Sequence, residues 1–119
     1  MKKVLIVDDA SFIRMLVKKL LTENGFEIVG EAGDGKSGVE KYKELKPDIV
    51  TMDITMPVMS GIEALREIIK FDRSANVIML TAMGQQSMVL EAINYGAKSF
   101  VVKPFKEDVF INTVKRILL

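Results

Sequence analysis

Cysteine and histidine are both absent from this sequence of 119 residues. The lack of cysteine excludes disulfide bonds and thiolate chemistry. The lack of histidine removes the commonest general base and the commonest zinc ligand, and it means that the chain cannot carry a phosphoryl group on an imidazole ring. Any metal site would therefore be built from oxygen ligands, which favours a hard cation over zinc.

The sequence also has little net charge and no long apolar run. Its 17 Lys and Arg residues are interleaved with 16 Asp and Glu residues, and the formal net charge is +1. A nucleic-acid interface needs basic residues gathered on one face. The N-terminal stretch MKKVLIVDD has too short an apolar core for a signal peptide, and no run approaches the length of a membrane span. We therefore expect a soluble, cytoplasmic protein that binds neither nucleic acid nor membranes.

Five short apolar runs alternate along the chain with five helical patterns, and the length predicts one domain over residues 1–119. The first helical pattern ends at Asn24-Gly25, a typical helix stop, and Pro47 ends the second. Ser60 opens the third helix with capping-box spacing to Glu63. The predicted strands lie at residues 3–7, 26–31, 49–52, 77–80 and 99–102, and the last two helices at about 85–94 and from about 106 onward.

This strict alternation predicts a parallel sheet with right-handed crossovers and helices on both faces. The second run, FEIVGE, is the most polar of the five, which suits a strand at the edge of the sheet. We therefore expect an α/β fold: a flavodoxin-like, doubly wound (βα)5 unit with a five-stranded parallel sheet in the order 2-1-3-4-5.

Polar or charged side chains follow four of the five predicted strands. Asp8 and Asp9 follow the first strand, Asp53 the third, Thr81 the fourth and Lys103 the fifth. Taken singly, each is typical of an ordinary turn, helix cap or surface residue. In the order 2-1-3-4-5 the four strands are contiguous, and ligands of open parallel sheets bind outside the carboxyl ends of the strands. The joint pattern therefore favours one shared cleft.

The residue types in this cleft indicate phosphoryl chemistry. Three carboxylates packed together repel one another and would take up protons unless a cation joins them. Oxygen ligands alone favour Mg²⁺, or else Mn²⁺. The Thr81 hydroxyl and the Lys103 ammonium are donors suited to phosphoryl oxygens. The available nucleophile is a carboxylate, and Asp53 is the best candidate because its strand lies between the acidic pair and the two donors.

Four motifs, LIVDDA, DIVTMDITMPVMSG, IMLTAMGQQ and FVVKPF, occur in this order along the chain. With them the whole sequence resembles the response-regulator receiver domain family, and most of all its stand-alone chemotaxis members. The resemblance implies that Asp53 accepts a phosphoryl group from a chemotaxis-type histidine kinase. It implies that Asp9 and Asp53 ligate Mg²⁺ together with the backbone carbonyl of Thr55, and that Asp8 reaches the ion through water or orients it.

The same resemblance implies roles for the other residues of the cleft. Lys103 would pair with the acidic cluster and then with the phosphoryl group, and Thr81 would hydrogen-bond a phosphoryl oxygen in the active state. The peptide bond between Lys103 and Pro104 would be cis. The side chains of Thr55 and Met83 would control access of the hydrolytic water. The protein would promote its own phosphorylation and slow dephosphorylation without being an enzyme in the usual sense.

The resemblance also implies an output surface formed by helix four, strand five and helix five. Phe100 occupies the aromatic switch position, where many chemotaxis regulators have Tyr, and it cannot offer a hydroxyl to a partner. Candidate partner-face residues on helix four are Gln86, Val89, Leu90 and Ile93. Met88, Val89 and Ala92 are expected in the core, and Leu90 outside it. The implied partners are a flagellar motor switch protein or an archaellum adaptor, with a phosphatase as a further partner of a monomeric protein.

Three other interpretations of the sequence compete with this one. A phosphatase of the haloacid-dehalogenase type needs a second aspartate two residues after the nucleophile, where this sequence has Thr55. A flavodoxin-like flavin carrier needs a glycine- and hydroxyl-rich loop after strand one, where Asp8 and Asp9 would repel a phosphate. Within the family, the alternative is the receiver of a multidomain regulator or a phosphorelay shuttle. Because the sequence contains no DNA-binding segment, we expect a free-standing protein.

Overall fold

The computed structural model describes residues 1–118, in which five strands alternate with five helices. The elements are β1 Lys3–Val7, α1 Ser11–Glu23, β2 Glu27–Ala32, α2 Gly35–Leu45, β3 Ile49–Asp53, α3 Gly61–Phe71, β4 Val77–Ala82, α4 Gln86–Asn94, β5 Ser99–Lys103 and α5 Glu107–Leu118. Among these residues, no helix combines the length and the apolar character that crossing a membrane would require.

The five strands form one parallel sheet in the order β2-β1-β3-β4-β5, which confirms the predicted fold and topology. β2 lies at one edge, and most of its residues are only partly buried, as its polar sequence predicted. Four strands, β2 to β5, end one or two residues later than the sequence pattern predicted, because parallel pairing continues past the apolar run. Asp53 pairs with Leu80, and Ala82 pairs with Lys103.

The sheet carries a separate apolar core on each face, which is why its central strands read as continuous apolar runs. Val50, Met52 and Met79 point to the face covered by α2, α3 and α4. Ile49 and Leu80 point to the opposite face, which α1 and α5 cover. Successive residues of a strand point to opposite faces of the sheet. Both cores therefore extend to the same row of strand ends.

The start of α3 is packed directly against the end of β3. Ser60 caps the helix as predicted: its hydroxyl oxygen accepts from the backbone N–H of Glu63 at 3.2 Å. Gly61 follows, and a Cβ added there would lie 1.9 Å from the backbone oxygen of Asp53. Only glycine permits this approach, so the sequence Ser60-Gly61 fixes where the chain turns after Asp53.

One expectation for α4 is wrong. Val89 and Ala92 are buried as predicted, with 8% and 0% of their surface exposed, but Met88 is 42% exposed. α4 has only nine residues, and its buried stripe is correspondingly narrow. Leu90, predicted to lie outside the core, is 67% exposed. α4 therefore presents more apolar surface than its periodicity indicated.

Candidate functional site

Three carboxylates meet at the carboxyl ends of β1 and β3. Oxygens of Asp8, Asp9 and Asp53 lie within 4.8 Å of one another, with Asp8 and Asp53 buried and Asp9 exposed. The pairing of Val7 with Met52 brings the two strand ends side by side. The strand order thus places in one cluster residues that are more than forty positions apart in the sequence.

The backbone of Asp8 is held in place by hydrogen bonds on several sides. Its N–H donates to the backbone oxygen of Ala32 at 3.0 Å, which continues the pairing of β1 with β2. Its side-chain Oδ1 accepts from the N–H of Ala10 at 2.9 Å, and its backbone oxygen accepts from the Arg14 guanidinium at 2.5 Å. The carboxylate is therefore oriented before any ligand arrives.

Lys103 joins the acidic cluster from the end of β5. Its ammonium donates to Oδ1 of Asp53 at 3.1 Å and to Oδ2 of Asp8 at 3.3 Å. Burial by itself lowers the pKa of Lys103, but the two carboxylates outweigh it, so that the pKa lies above its ordinary value. Lys103 is therefore a permanently charged partner for groups in the cleft.

The pKa of the Asp53 carboxyl is strongly perturbed by its surroundings. Burial, and secondly the charge of Asp8, raise its pKa from 3.8 to about 6, although Lys103 acts in the opposite direction. A single ammonium thus does not offset the combined effect of burial and the neighbouring carboxylates on the Asp53 charge. A hard divalent cation would supply the missing positive charge, and an all-oxygen donor set at this spacing fits Mg²⁺. The residues present are consistent with a magnesium site.

The loop after β3 leaves the cluster through a tight turn. The N–H of Ile54 donates to the backbone oxygen of Leu80 at 3.2 Å, and Thr55, which follows, has an exposed side chain. Further along, the N–H of Met59 donates to the backbone oxygen of Pro57 at 2.7 Å. Val58 lies between them with φ of +68°, in the left-handed region. A turn was expected here from the sequence, but nothing in the pattern predicts the left-handed backbone at Val58.

Thr81 lies near the end of β4, one residue beyond the partner of Asp53, and only 1% of its surface is exposed. Its hydroxyl makes hydrogen bonds to Oε1 of Gln85 at 2.8 Å and to the backbone oxygen of Ala82 at 3.2 Å. Sequence reasoning singled out Thr81 but missed its partner Gln85. A glutamine just before a helix carries no sequence signal for where its side chain points.

The proposed switch and partner residues surround a groove between α4 and β5. A cavity of about 410 Å³ there is lined by Gln86, Val89, Leu90, Ile93, Phe100 and Val102, among others. Phe100 is 44% exposed, so that its ring lies at the surface of the groove. The neighbouring peptide bond between Lys103 and Pro104 is cis, as the family resemblance implied.

Comparisons with known proteins agree with this geometry. The sequence profile described as "Response regulator receiver domain" matches residues 4–115. The chemotaxis protein CheY of Thermotoga maritima is 57% identical over 116 residues, which cover 98% of this chain and 97% of that protein. CheY of Bacillus subtilis has the same identity and coverage.

The fold is also similar to that of a solved structure. A chain in the crystal structure of the CheX–CheY–BeF₃–Mg²⁺ complex from Borrelia burgdorferi superimposes with a TM-score of 0.95. It is 41% identical in sequence, and the match covers 99% of this chain and 90% of that chain.

Proposed function

The chain belongs to the response regulator receiver domain family, and we propose that it accepts a phosphoryl group on Asp53 in two-component chemotaxis signalling. The observation that carries this proposal is the position of the Asp53 carboxylate, clustered with those of Asp8 and Asp9 and 3.1 Å from the Lys103 ammonium. Its full-length similarity to CheY proteins supports the chemotaxis assignment. Residues 1–119 would act as one domain and as a monomer.

The proposed donor is a phosphohistidine of a chemotaxis-type kinase. Lys103 holds Oδ1 of Asp53, so we assign the attack on phosphorus to Oδ2. An O–P bond forms and the P–N bond breaks, with its electron pair remaining on the imidazole nitrogen. Hydrolysis reverses the modification: water attacks phosphorus, the Asp53 carboxylate is regenerated and inorganic phosphate leaves.

Asp8, Asp9, Asp53 and the backbone carbonyl of Thr55 would hold Mg²⁺, or Mn²⁺ in its place. When bound, the ion neutralises negative charge on the transferring phosphoryl oxygens. Lys103, which lies between the two buried carboxylates, would then pair with the phosphoryl group and supply the second positive charge. Asp8, fixed by its backbone hydrogen bonds, orients the ligand set or reaches the ion through water.

The protein is proposed to be a phosphoacceptor with slow self-dephosphorylation, not a turnover enzyme. Thr55 stands where an aspartate acid/base would be needed for fast hydrolysis. The side chain of Met83, which is 80% exposed, would hinder the approach of water, as the family resemblance implies. Both residues would set the lifetime of the phosphorylated state.

The signal would be passed to a partner by a conformational change around Thr81 and Phe100. A Thr81 hydroxyl drawn toward the phosphoryl group would shift the loop before α4 and bias a pre-existing equilibrium. The apolar groove bounded by Val89, Leu90 and Ile93 would then bind a partner, with Gln86 at its rim. The proposed partner is a flagellar motor switch protein or archaellum adaptor, and a phosphatase would act on the same form. The alternative is a receiver within a multidomain regulator or a phosphorelay.

Phosphorylation is tested by intact mass spectrometry after incubation with acetyl phosphate. We expect wild type to gain one phosphoryl group with Mg²⁺ present and none with EDTA, because the ion is needed to offset the clustered charges. Asp53→Asn should gain nothing under either condition. Wild type that stays unmodified, or a variant that is modified equally, would contradict the proposal.

Partner binding is tested by affinity capture with and without beryllofluoride, a phosphoryl mimic. We expect a motility protein to be retained in the beryllofluoride form alone, and Leu90→Ser to weaken that retention. Recovery of identical proteins in both forms would count against a phosphorylation-gated surface.

A further inference from the structure

Resting on this proposed function, we propose that the Gln85 carboxamide is a placeholder for the phosphoryl group. Its Oε1 accepts from the backbone N–H of Ala82 at 2.7 Å and from the hydroxyl of Thr81 at 2.8 Å. One carboxamide oxygen thus gathers two donors at the end of β4. In the resting protein this oxygen occupies the acceptor role that a phosphoryl oxygen would take.

The two donors lie beside the proposed phosphoacceptor. Asp53 pairs with Leu80, so that Thr81 and Ala82 are the next residues along the neighbouring strand. The Thr81 hydroxyl has a single proton and is nearly fully buried, at 1% exposure. It cannot donate fully to Gln85 and to a phosphoryl oxygen at once. Gln85 and the phosphoryl group therefore compete for it.

Through its amide nitrogen, Gln85 also connects the end of β4 to the loop after β3. Its Nε2 donates to the hydroxyl oxygen of Thr55 at 3.0 Å, in the loop that follows Asp53. Gln85 is also the residue immediately before α4. Release of its side chain would therefore free the loop after β3 and the start of α4 in one step.

The direction of the exchange follows from charge. A phosphoryl oxygen carries negative charge, and hydrogen bonds to a charged acceptor are stronger than those to a neutral carboxamide. The Thr81 hydroxyl would therefore leave Gln85 when Asp53 is phosphorylated. Because Gln85 stabilises only the resting arrangement, its removal should raise the population of the active one.

The test compares Gln85→Ala with wild type in two measurements. Beryllofluoride binding with Mg²⁺, followed by calorimetry, should be roughly three- to tenfold tighter in the variant, which is the factor that one ordinary hydrogen bond is worth. The melting temperature of the metal-free variant should fall, because it loses the three hydrogen bonds of Gln85. Tighter binding together with lower stability is a combination that a merely structural role would not produce.

Two further variants sharpen the result. Asn94→Ala removes an exposed carboxamide from the far end of α4 and should leave both measurements unchanged. Thr55→Val removes the acceptor for the Gln85 amide. Its affinity for beryllofluoride should lie between those of wild type and Gln85→Ala. Unchanged or weaker beryllofluoride binding by Gln85→Ala would overturn the placeholder.

Hydrogen exchange of the Ala82 amide in metal-free protein provides an independent readout. We expect exchange to be faster in Gln85→Ala, since the amide loses its acceptor. Equal exchange in variant and wild type would also overturn the proposal. If wild type fails to bind beryllofluoride, the proposed function fails, and this measurement still decides whether Gln85 holds the loop.

Discussion

At Asp53, the charge that the proposed chemistry requires lowers the stability of the fold. Its carboxylate is buried beside Asp8, and its pKa is raised to about 6 by burial first and by Asp8 second. The proposed roles of Asp53 as nucleophile and metal ligand nevertheless require an ionised carboxylate at neutral pH. The unliganded fold therefore holds a charge that costs stability, and cation binding offsets that cost.

Replacement of Asp53 by Asn should stabilise the metal-free protein at neutral pH. The folded pKa lies above the unfolded one, so the native state binds more protons between 3.8 and about 6, and wild-type stability falls as the pH rises through this window. Asn does not ionise and escapes this loss. We expect a gain of about 1–3 kcal/mol near pH 8 that shrinks below about pH 5.

Urea unfolding in EDTA at the two pH values measures this difference. Glu40→Gln, an exposed acid on α2, is the control and should show no comparable gain. An Asp53→Asn variant that is less stable than wild type near pH 8, or whose advantage does not depend on pH, would refute the electrostatic explanation.

Val58 is a second residue under strain. It is 81% exposed and has φ of +68°, a conformation that β-branched residues rarely adopt. The hydrogen bond from Met59 to Pro57 across it closes a three-residue turn. Because Asn tolerates the left-handed region, Val58→Asn should raise the free energy of unfolding by about 0.5–1.5 kcal/mol.

The control for this substitution is Val109→Asn, which is 48% exposed on α5 and lies in ordinary helical backbone. We expect that change to be neutral or mildly destabilising in the same urea titration. If both substitutions destabilise the protein equally, strain at Val58 is not the explanation.

The sequence predicted the residues of the cleft better than their hydrogen bonds. Asp53 and Lys103 could be placed because each follows an apolar strand, and strand ends are set by patterning. Gln85 and Val58 could not, since the rotamer of a loop side chain and a left-handed φ depend on contacts that the local pattern does not encode.

Among the secondary-structure elements, a partly buried hydrogen bond joins α2 to the end of α3. The hydroxyl of Tyr42 on α2 donates to Oδ2 of Asp72, at the end of α3, at 2.7 Å. Burial first, and then this bond, raise the pKa of Tyr42 far above its ordinary value, and the bond lowers the pKa of Asp72. This bond thereby links α2 to the residue that follows α3.

Tyr42→Phe should therefore lower stability by about 0.5–1.5 kcal/mol at neutral pH. The Asp72 pKa is depressed on folding, so the stabilisation is present above 3.8 and is lost as the pH falls through the folded pKa. Thermal unfolding of both proteins across this range should show the difference shrinking in acid.

Tyr95→Phe is the matched control, since Tyr95 is 37% exposed and its ring faces the Arg66 guanidinium at 4.6 Å. It should change stability by less than about 0.5 kcal/mol. A Tyr42→Phe variant as stable as wild type at neutral pH would show that the bond contributes nothing.

The apolar pattern of the sequence also predicts the ends of strands and the burial of helix residues only approximately. The strands β3, β4 and β5 continue for one or two residues past their predicted ends, since backbone pairing does not require an apolar side chain. Met88 was expected in the core because its spacing suits a buried stripe, yet a helix of nine residues buries little beyond Val89 and Ala92. Burial on a short helix depends on what it packs against.

The molecule as a whole is organised by its strand order. Alternation of strands and helices was enough to predict the parallel sheet, because right-handed crossovers leave few alternatives. The order 2-1-3-4-5 then makes four strand ends neighbours, and the cluster of Asp8, Asp9, Asp53 and Lys103 follows from that order. The Gln85 bridge links the loop that follows Asp53 to the start of α4, so its release would carry a change at the cleft toward the apolar groove.

The most direct test of this account is to identify the phosphorylated residue chemically. After treatment with acetyl phosphate and Mg²⁺, borohydride reduces an aspartyl phosphate to homoserine, which peptide mapping by mass spectrometry can locate. We expect homoserine at position 53 alone, and none when Mg²⁺ is replaced by EDTA. Homoserine at position 8 or 9, or an unmodified residue 53 in protein that carries phosphate, would contradict it.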